Sequence, residues 1–192
     1  MRSLILLLTL SVTTCAWAQD SSAKLKKDRA CLPLIYNFDK RADRTLVQTQ
    51  PFLLGGAFWQ DENSGVLKHG NQMDDWGFAI AFLYSYQGKQ YSKPKEVKLE
   101  ALYEGWDYRY EKDHELSFEI DGGEIIALPP PTRTSEFLIT NRKREHLSTT
   151  LALSEFEKLA NSKKIRLRAN DDKFELSTCE YSSLHNFYQS IK

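Results

Sequence analysis

Three groups of residues in this 192-residue sequence have the types and spacing to do chemistry. Trp106, Tyr108 and Tyr110 stand at alternate positions, with Asp107 and Arg109 between them. On a strand, that spacing turns all three rings to one side. Exposed, they would form a platform for a carbohydrate or an extended peptide, with polar neighbours to orient it; buried, they would be a core face. His69 stands near Asp61, Asp74 and Asp75, a set able to act as acid and base or to hold a metal. The plainer reading of that set is a solvated loop. Cys31 and Cys179 form the third group, treated below with the compartment.

Other chemistry is missing. The sequence has no G-x-S-x-G elbow, no H-E-x-x-H pair, no phosphate-binding glycine loop and no calcium loop. It also has no C-x-x-C, which leaves thiol-redox and zinc-ribbon roles without support. His114 and His146 sit beside Glu115 and Glu145 at strand starts, and His185 borders the apolar face of the last helix, so all three read as ordinary surface residues. Arg142-Lys143-Arg144 fits a solvated basic loop, with anionic lipid or cell-wall polymer as the alternative partner. No catalytic residue, metal or cofactor follows from these patterns.

The start of the chain predicts its compartment. Residues 1–18 combine a charged Arg2, an apolar run over 4–10 and the small-residue pattern Ala16-Trp17-Ala18, the order of a cleavable export signal. The run is too short to span a bilayer, and no later apolar stretch is long enough. A lipid anchor at Cys15 is the competing reading, disfavoured by Thr14. Removing 18 of the 192 residues leaves 174, enough for one domain with a sizeable core. Losing Arg2 leaves 25 of the 26 cationic residues against 26 carboxylates, a balance that argues against nucleic acid as a partner. Of the three cysteines, Cys31 and Cys179 remain, and in a periplasmic or secreted protein an even pair predicts one disulfide.

These groups need elements to position them. Residues 116–128 predict a hairpin: Leu116, Phe118 and Ile120 alternate, Asp121-Gly122-Gly123 supplies the turn, and Pro129-Pro130-Pro131 stops the return strand. Residues 77–86 form the clearest long strand, with Phe78, Ile80, Phe82, Tyr84 and Tyr86 on one face and small residues opposite, as in a central strand covered on both sides. Further strands are expected over 31–38, within 45–59, and, after the proline stop, through Phe137 and Ile139. Glu96 to Tyr110 reads as one strand. Unbroken, it sets Trp106, Tyr108 and Tyr110 opposite the face of Val97, Leu99, Ala101 and Tyr103; a bulge at Glu104-Gly105 returns them to that face. The bulged, buried arrangement is favoured, because three exposed rings in a row are costly without a partner.

The end of the chain carries two capping boxes, Ser154-x-x-Glu157 and Ser177-x-x-Glu180. The second opens a helix with Tyr181, Leu184, Tyr188 and Ile191 on one face. Between them, Ile165 and Leu167 alternate with Arg166 and Arg168, and Phe174 and Leu176 return. This closing order, from Leu153-Ser154 through Lys163-Lys164-Ile165-Arg166-Leu167-Arg168 to Phe174-Glu175-Leu176 and a final helix, resembles the tail of many uncharacterised exported bacterial proteins. The resemblance covers about a quarter of the chain and implies a fold, with no functional residues.

The expected architecture is a mainly β, antiparallel β-sandwich with two short helices near the C-terminus, α+β being the alternative. A mobile lead-in over 19–30 precedes a single β-rich domain over 31–192. The expected function is a non-catalytic binding or interaction module of the cell envelope, with Trp106, Tyr108 and Tyr110 as its candidate platform. The alternative is a periplasmic or secreted hydrolase using loop carboxylates and His69.

Overall fold

The computed structural model describes residues 34–56, 58–60, 67–69, 76–112, 114–139 and 141–192. The expected export signal, the lead-in, Cys31, Asp61, Asp74 and Asp75 lie outside the described residues. Cys179 is half-buried in the first turn of the last helix.

Apolar and polar residues alternate along most strands, and the apolar sides meet between two antiparallel sheets. The larger runs in the order β1 (Ile35–Asp39), β2 (Arg44–Gln48), β6 (Trp76–Gln87), β7 (Glu96–Gly105), β11 (Lys143–Ala152) and β10 (Thr132–Phe137), and β3 (Phe52–Gly56) also pairs β6. The smaller runs β13 (Asp172–Glu175), β12 (Ile165–Ala169), β8 (Leu116–Ile120) and β9 (Glu124–Ala127). β4 (Phe58–Gln60) and β5 (Leu67–His69) form a separate antiparallel pair. Two helices, α1 (Leu153–Asn161) and α2 (Thr178–Ile191), lie near the C-terminus. The protein is therefore mainly β, sandwich-like, with two C-terminal helices, as its patterning predicts. Among the described residues no helix is long and apolar enough to cross a membrane.

β6 is the central strand. β7 pairs along one edge, while β2 and β3 share the other end to end. The join between them is built from Thr49 and Pro51. Thr49 donates its N–H to the Phe82 carbonyl at 2.9 Å, and its hydroxyl accepts the Phe82 N–H at 3.1 Å. Pro51, with no N–H, ends the first pairing, and the chain resumes at Phe52 opposite Ile80.

The inner face of β6 supplies the rings that join the layers. Phe78 stacks on Phe174 of β13, with centroids 4.7 Å apart and planes 4° from parallel. Phe82 meets Phe118 of β8 at 6.0 Å, Phe156 of α1 at 5.3 Å and Phe52 of β3 at 6.0 Å. Phe156 in turn packs edge-on against Phe187 of α2 at 5.6 Å. Each such burial contributes about 1.5–3 kcal/mol, so this row joins both sheets and both helices into one core. The opposite face of β6 is covered at Ala79 and half open at Ala81 and Leu83.

Two local details differ from the sequence pattern. α1 opens at Leu153, and Glu155 reaches back to accept the Ala152 N–H, which leaves Ser154 inside the first turn. β11 runs directly into α1, so the last ladder residue itself serves as the cap. In α2 the Ser177–Glu180 box forms as expected, with Ser177 N–H donating to Glu180 and Glu180 N–H donating to Ser177. Its buried face, however, includes Phe187 beside Leu184, Tyr188 and Ile191, while Tyr181 is half-buried and gives its hydroxyl to the Ile165 N–H as acceptor at 3.1 Å.

The hairpin over β8 and β9 forms as its turn residues require. Asp121 and Gly122 take φ of 47° and 87°, and Gly123 N–H donates to the Ile120 carbonyl at 3.1 Å. Leu116, Phe118 and Ile120 are all buried.

Candidate functional site

β7 ends at Gly105, and the expected strand through Tyr110 does not form. The cause lies in the neighbours. Gly105 is opposite Trp76, the first residue of β6, and Lys143, the first of β11, so beyond it no ladder partner remains among the described residues. Gly105 also lies under the Tyr103 ring, where a Cβ would fall 2.2 Å from the hydroxyl oxygen. The chain leaves the sheet here as a loop over 106–112.

That loop is held by two carboxylates from other strands. Glu145 of β11 is fully buried and accepts the Arg109 N–H at 2.6 Å and the Tyr110 N–H at 3.1 and 3.2 Å. The Arg133 guanidinium of β10 donates to the same carboxylate at 2.7 Å. Asp172 of β13 accepts from the Arg109 guanidinium and, at 3.1 Å, from the Tyr110 hydroxyl. Arg109 also lies over the Trp76 ring at 5.3 Å.

The three aromatic residues consequently part company, and neither the bulged nor the unbroken strand describes them. Tyr110 is 1% exposed and belongs to the core, against Phe78 at 5.8 Å and Tyr103 at 5.5 Å. Burial, reinforced by the Asp172 charge, pushes its hydroxyl well above the ordinary tyrosine range. Trp106 is 48% exposed, with the Arg142 guanidinium over its ring at 4.6 Å. Tyr108 is half-buried, flanked by Lys143 at 5.1 Å and Arg133 at 5.3 Å, and Lys143 also pairs with Asp107 at 3.1 Å. Replacing Trp106 by alanine is expected to change the urea midpoint little, by about 1 kcal/mol or less, because the ring is half exposed and its cation–π contact lies at the surface. A loss near the value for a core ring would return Trp106 to the interior.

Tyr108 also borders a recess of about 680 Å3 between the loop and the β12–β13 turn. Arg109, Lys112 and Arg168 bring positive charge to its walls, and Glu111, Glu115 and Asp171 bring negative charge. Such a surface can orient a polar ligand carrying both signs or many hydroxyls, with Tyr108 bordering it at one side.

Glu145 and Asp172 escaped the sequence reading although one of them left a signal. Counting back by twos from Leu151, Thr149 and Leu147 reaches Glu145, a carboxylate in register with an apolar face. Asp172 left none, since Asn170-Asp171-Asp172 reads as an ordinary turn. His69 is the last residue of β5, opposite Phe58, and its expected partners Asp61, Asp74 and Asp75 lie outside the described residues. His146 and His185 are exposed, and His114 is half-buried. Among the described residues no three His, Cys, Asp or Glu side chains gather as a metal site would require.

Alkaline pH should weaken the fold through two tyrosines. Burial, with the neighbouring Tyr91 and Tyr86, raises the Tyr84 hydroxyl to about 12, and Tyr110 is raised as well. In the unfolded chain both ionise near about 10, so above that pH the native state holds more protons. Their stabilisation is complete below that value and is lost as pH rises through the folded values. Urea midpoints should fall between about pH 10 and 12, less steeply for Tyr110→Phe; identical slopes for the two proteins would contradict this.

No family model matches the chain, and comparison with curated proteins finds no match to it.

Proposed function

We propose that the protein is an exported, non-catalytic binding module of the cell envelope, which holds a carbohydrate or peptide ligand beside Tyr108. The observation that carries this reading is the clamped loop. Glu145 and Asp172 fix residues 109 and 110 from two different sheets, so Tyr108 and Arg109 reach the recess on a rigid support. Apart from the recess-wall residues Glu111, Glu115 and Asp171, four carboxylates near the loop are already engaged: Glu145 and Asp172 by the loop, Asp107 by Lys143, and Glu104 by Arg144 at 2.9 Å. That occupation suits positioning better than proton transfer. The signal pattern of residues 1–18 and the pairing of Cys31 with Cys179 belong to the same proposal.

Muropeptides offer both sugar and peptide and make a suitable probe. Calorimetry should detect their binding, and Tyr108→Ala and Arg168→Ala should each weaken it about tenfold with the fold intact. No binding, or binding indifferent to both substitutions, would overturn the proposal. Release of shorter products would favour the hydrolase alternative instead.

A further inference from the structure

At the far end of β6, about 30 Å from Trp76 at 3.3 Å per residue, a second aromatic surface forms. The register makes two rows across three strands: Tyr36, Val47 and Tyr84, then Phe38, Thr45 and Tyr86. All six therefore share the inner face of the larger sheet. Tyr84 and Tyr86 stack at 5.4 Å, and Tyr91, from the connection to β7, meets them edge-on at 6.4 and 6.0 Å. Two hydroxyls tether the rings: Tyr84 donates to the Ser92 carbonyl and Tyr91 to the Ile191 carbonyl, both at 2.6 Å. Tyr36 is nevertheless 62% exposed and Tyr91 45%. Tyr91 is thus open on a firmly held ring, and with Tyr36 beside Tyr84 in the register it forms a contact surface.

The charge around the rings is one-sided. The turn over 39–44 carries Lys40, Arg41 and Arg44 against Asp39 and Asp43, and the connection over 88–95 adds Lys89, Lys93 and Lys95 with no acidic residue. Six cations thus face two carboxylates in a chain whose net charge is 0. The two segments are joined, with Gly88 N–H donating to the Asp43 carbonyl and Thr45 hydroxyl to the Gly88 carbonyl, both at 2.6 Å. Asp39 is already occupied by the N–H groups of Arg41 and Ala42, which hold its carboxyl below the usual range. Lys89 lies over the Phe38 ring at 4.9 Å, so cation and aromatic faces interleave.

We propose that this surface binds an acidic polysaccharide, stacking pyranose rings on Tyr36 and Tyr91 while Lys89 and Lys93 meet carboxylates carried on those rings. Lysine is depleted at the cores of protein–protein interfaces, and Lys89 lies among the rings, which disfavours a folded protein partner. A phosphate polymer without sugar rings would leave the tyrosine faces unused.

Affinity electrophoresis through gels containing alginate, a polyuronate, tests this directly, with neutral dextran and an oligothymidylate as competing probes. Alginate should retard the intact protein. Tyr36→Ala should weaken the retardation about five- to tenfold, Tyr36→Phe should retain it, and Lys89→Gln with Lys93→Gln should flatten its salt dependence. Tyr36 is too exposed for its loss to unfold the chain, which an unchanged urea midpoint confirms. Tyr108→Ala should leave alginate binding untouched, so failure here is distinct from failure of the recess. Absent retardation, indifference to Tyr36→Ala, or equal retardation by dextran would overturn the proposal. Tighter binding of oligothymidylate would overturn it in favour of a nucleic-acid surface.

Discussion

Alanine in place of Glu145 should lower the unfolding free energy by about 3–5 kcal/mol, among the largest effects expected of any single substitution here. The carboxylate is fully buried and serves three groups at once, the Arg109 and Tyr110 N–H groups and the Arg133 guanidinium. Removing it leaves two backbone donors unpaired and a largely buried cation without its counter-charge. Glutamine should cost less, about 1–3 kcal/mol, because its carbonyl can still accept from the loop while its amide NH2 faces Arg133 as donor against donor. Urea midpoints of the three proteins measure the order wild type, glutamine, alanine. A change below about 0.5 kcal/mol for alanine, the range of an ordinary surface site, would show that the loop is held by something else.

Phe82→Ala should cost a comparable 3–5 kcal/mol, for a different reason. Its ring touches Phe52, Phe118 and Phe156, one from each of three separate elements, so truncation opens a void where β3, β8 and α1 meet β6. Ile125 provides the contrast. It lies on β9 in an equally apolar stretch of sequence but is 49% exposed, and Ile125→Ala should stay within about 0.5 kcal/mol. Equal losses at the two positions, measured as urea midpoints, would mean that the layers are not joined through the Phe82 ring.

Strand and turn chemistry was legible where it is local. Period-two patterning over 77–86 announced β6 and its inward face, Asp121-Gly122-Gly123 announced the β8–β9 turn, and Ser177 with Glu180 announced the start of α2. The failures share a physical origin outside the segment concerned. Trp106, Tyr108 and Tyr110 keep the spacing of a strand, but a strand needs neighbours, and where β6 and β11 begin is not written in residues 106–110. Alternation marks a candidate strand and does not supply its ladder. Likewise, Ser154 has the right spacing to Glu157, yet the end of β11 sets the cap at Ala152. The aromatic surface around Tyr36 was hidden in the same way, because its members come from β1, β6 and the connection over 88–95, which only the cross-strand register brings together.

Asp121 does more than turn a hairpin. Its side chain accepts the Lys163 and Lys164 N–H groups at 2.8 and 3.1 Å, and its own N–H donates to the Lys164 carbonyl at 2.9 Å. The turn of one hairpin thus receives the residues that lead into β12, up to 43 positions later in the chain. β8–β9 and β12–β13 can each form from neighbours in sequence, but joining them closes a loop of that length, at an entropic cost of about 3 kcal/mol before the new contacts repay it. Completing the smaller sheet therefore needs residues from both hairpins. A chain emerging from a ribosome can set Phe118 of β8 against Phe82 well before β13 exists, whereas Phe78 waits for Phe174.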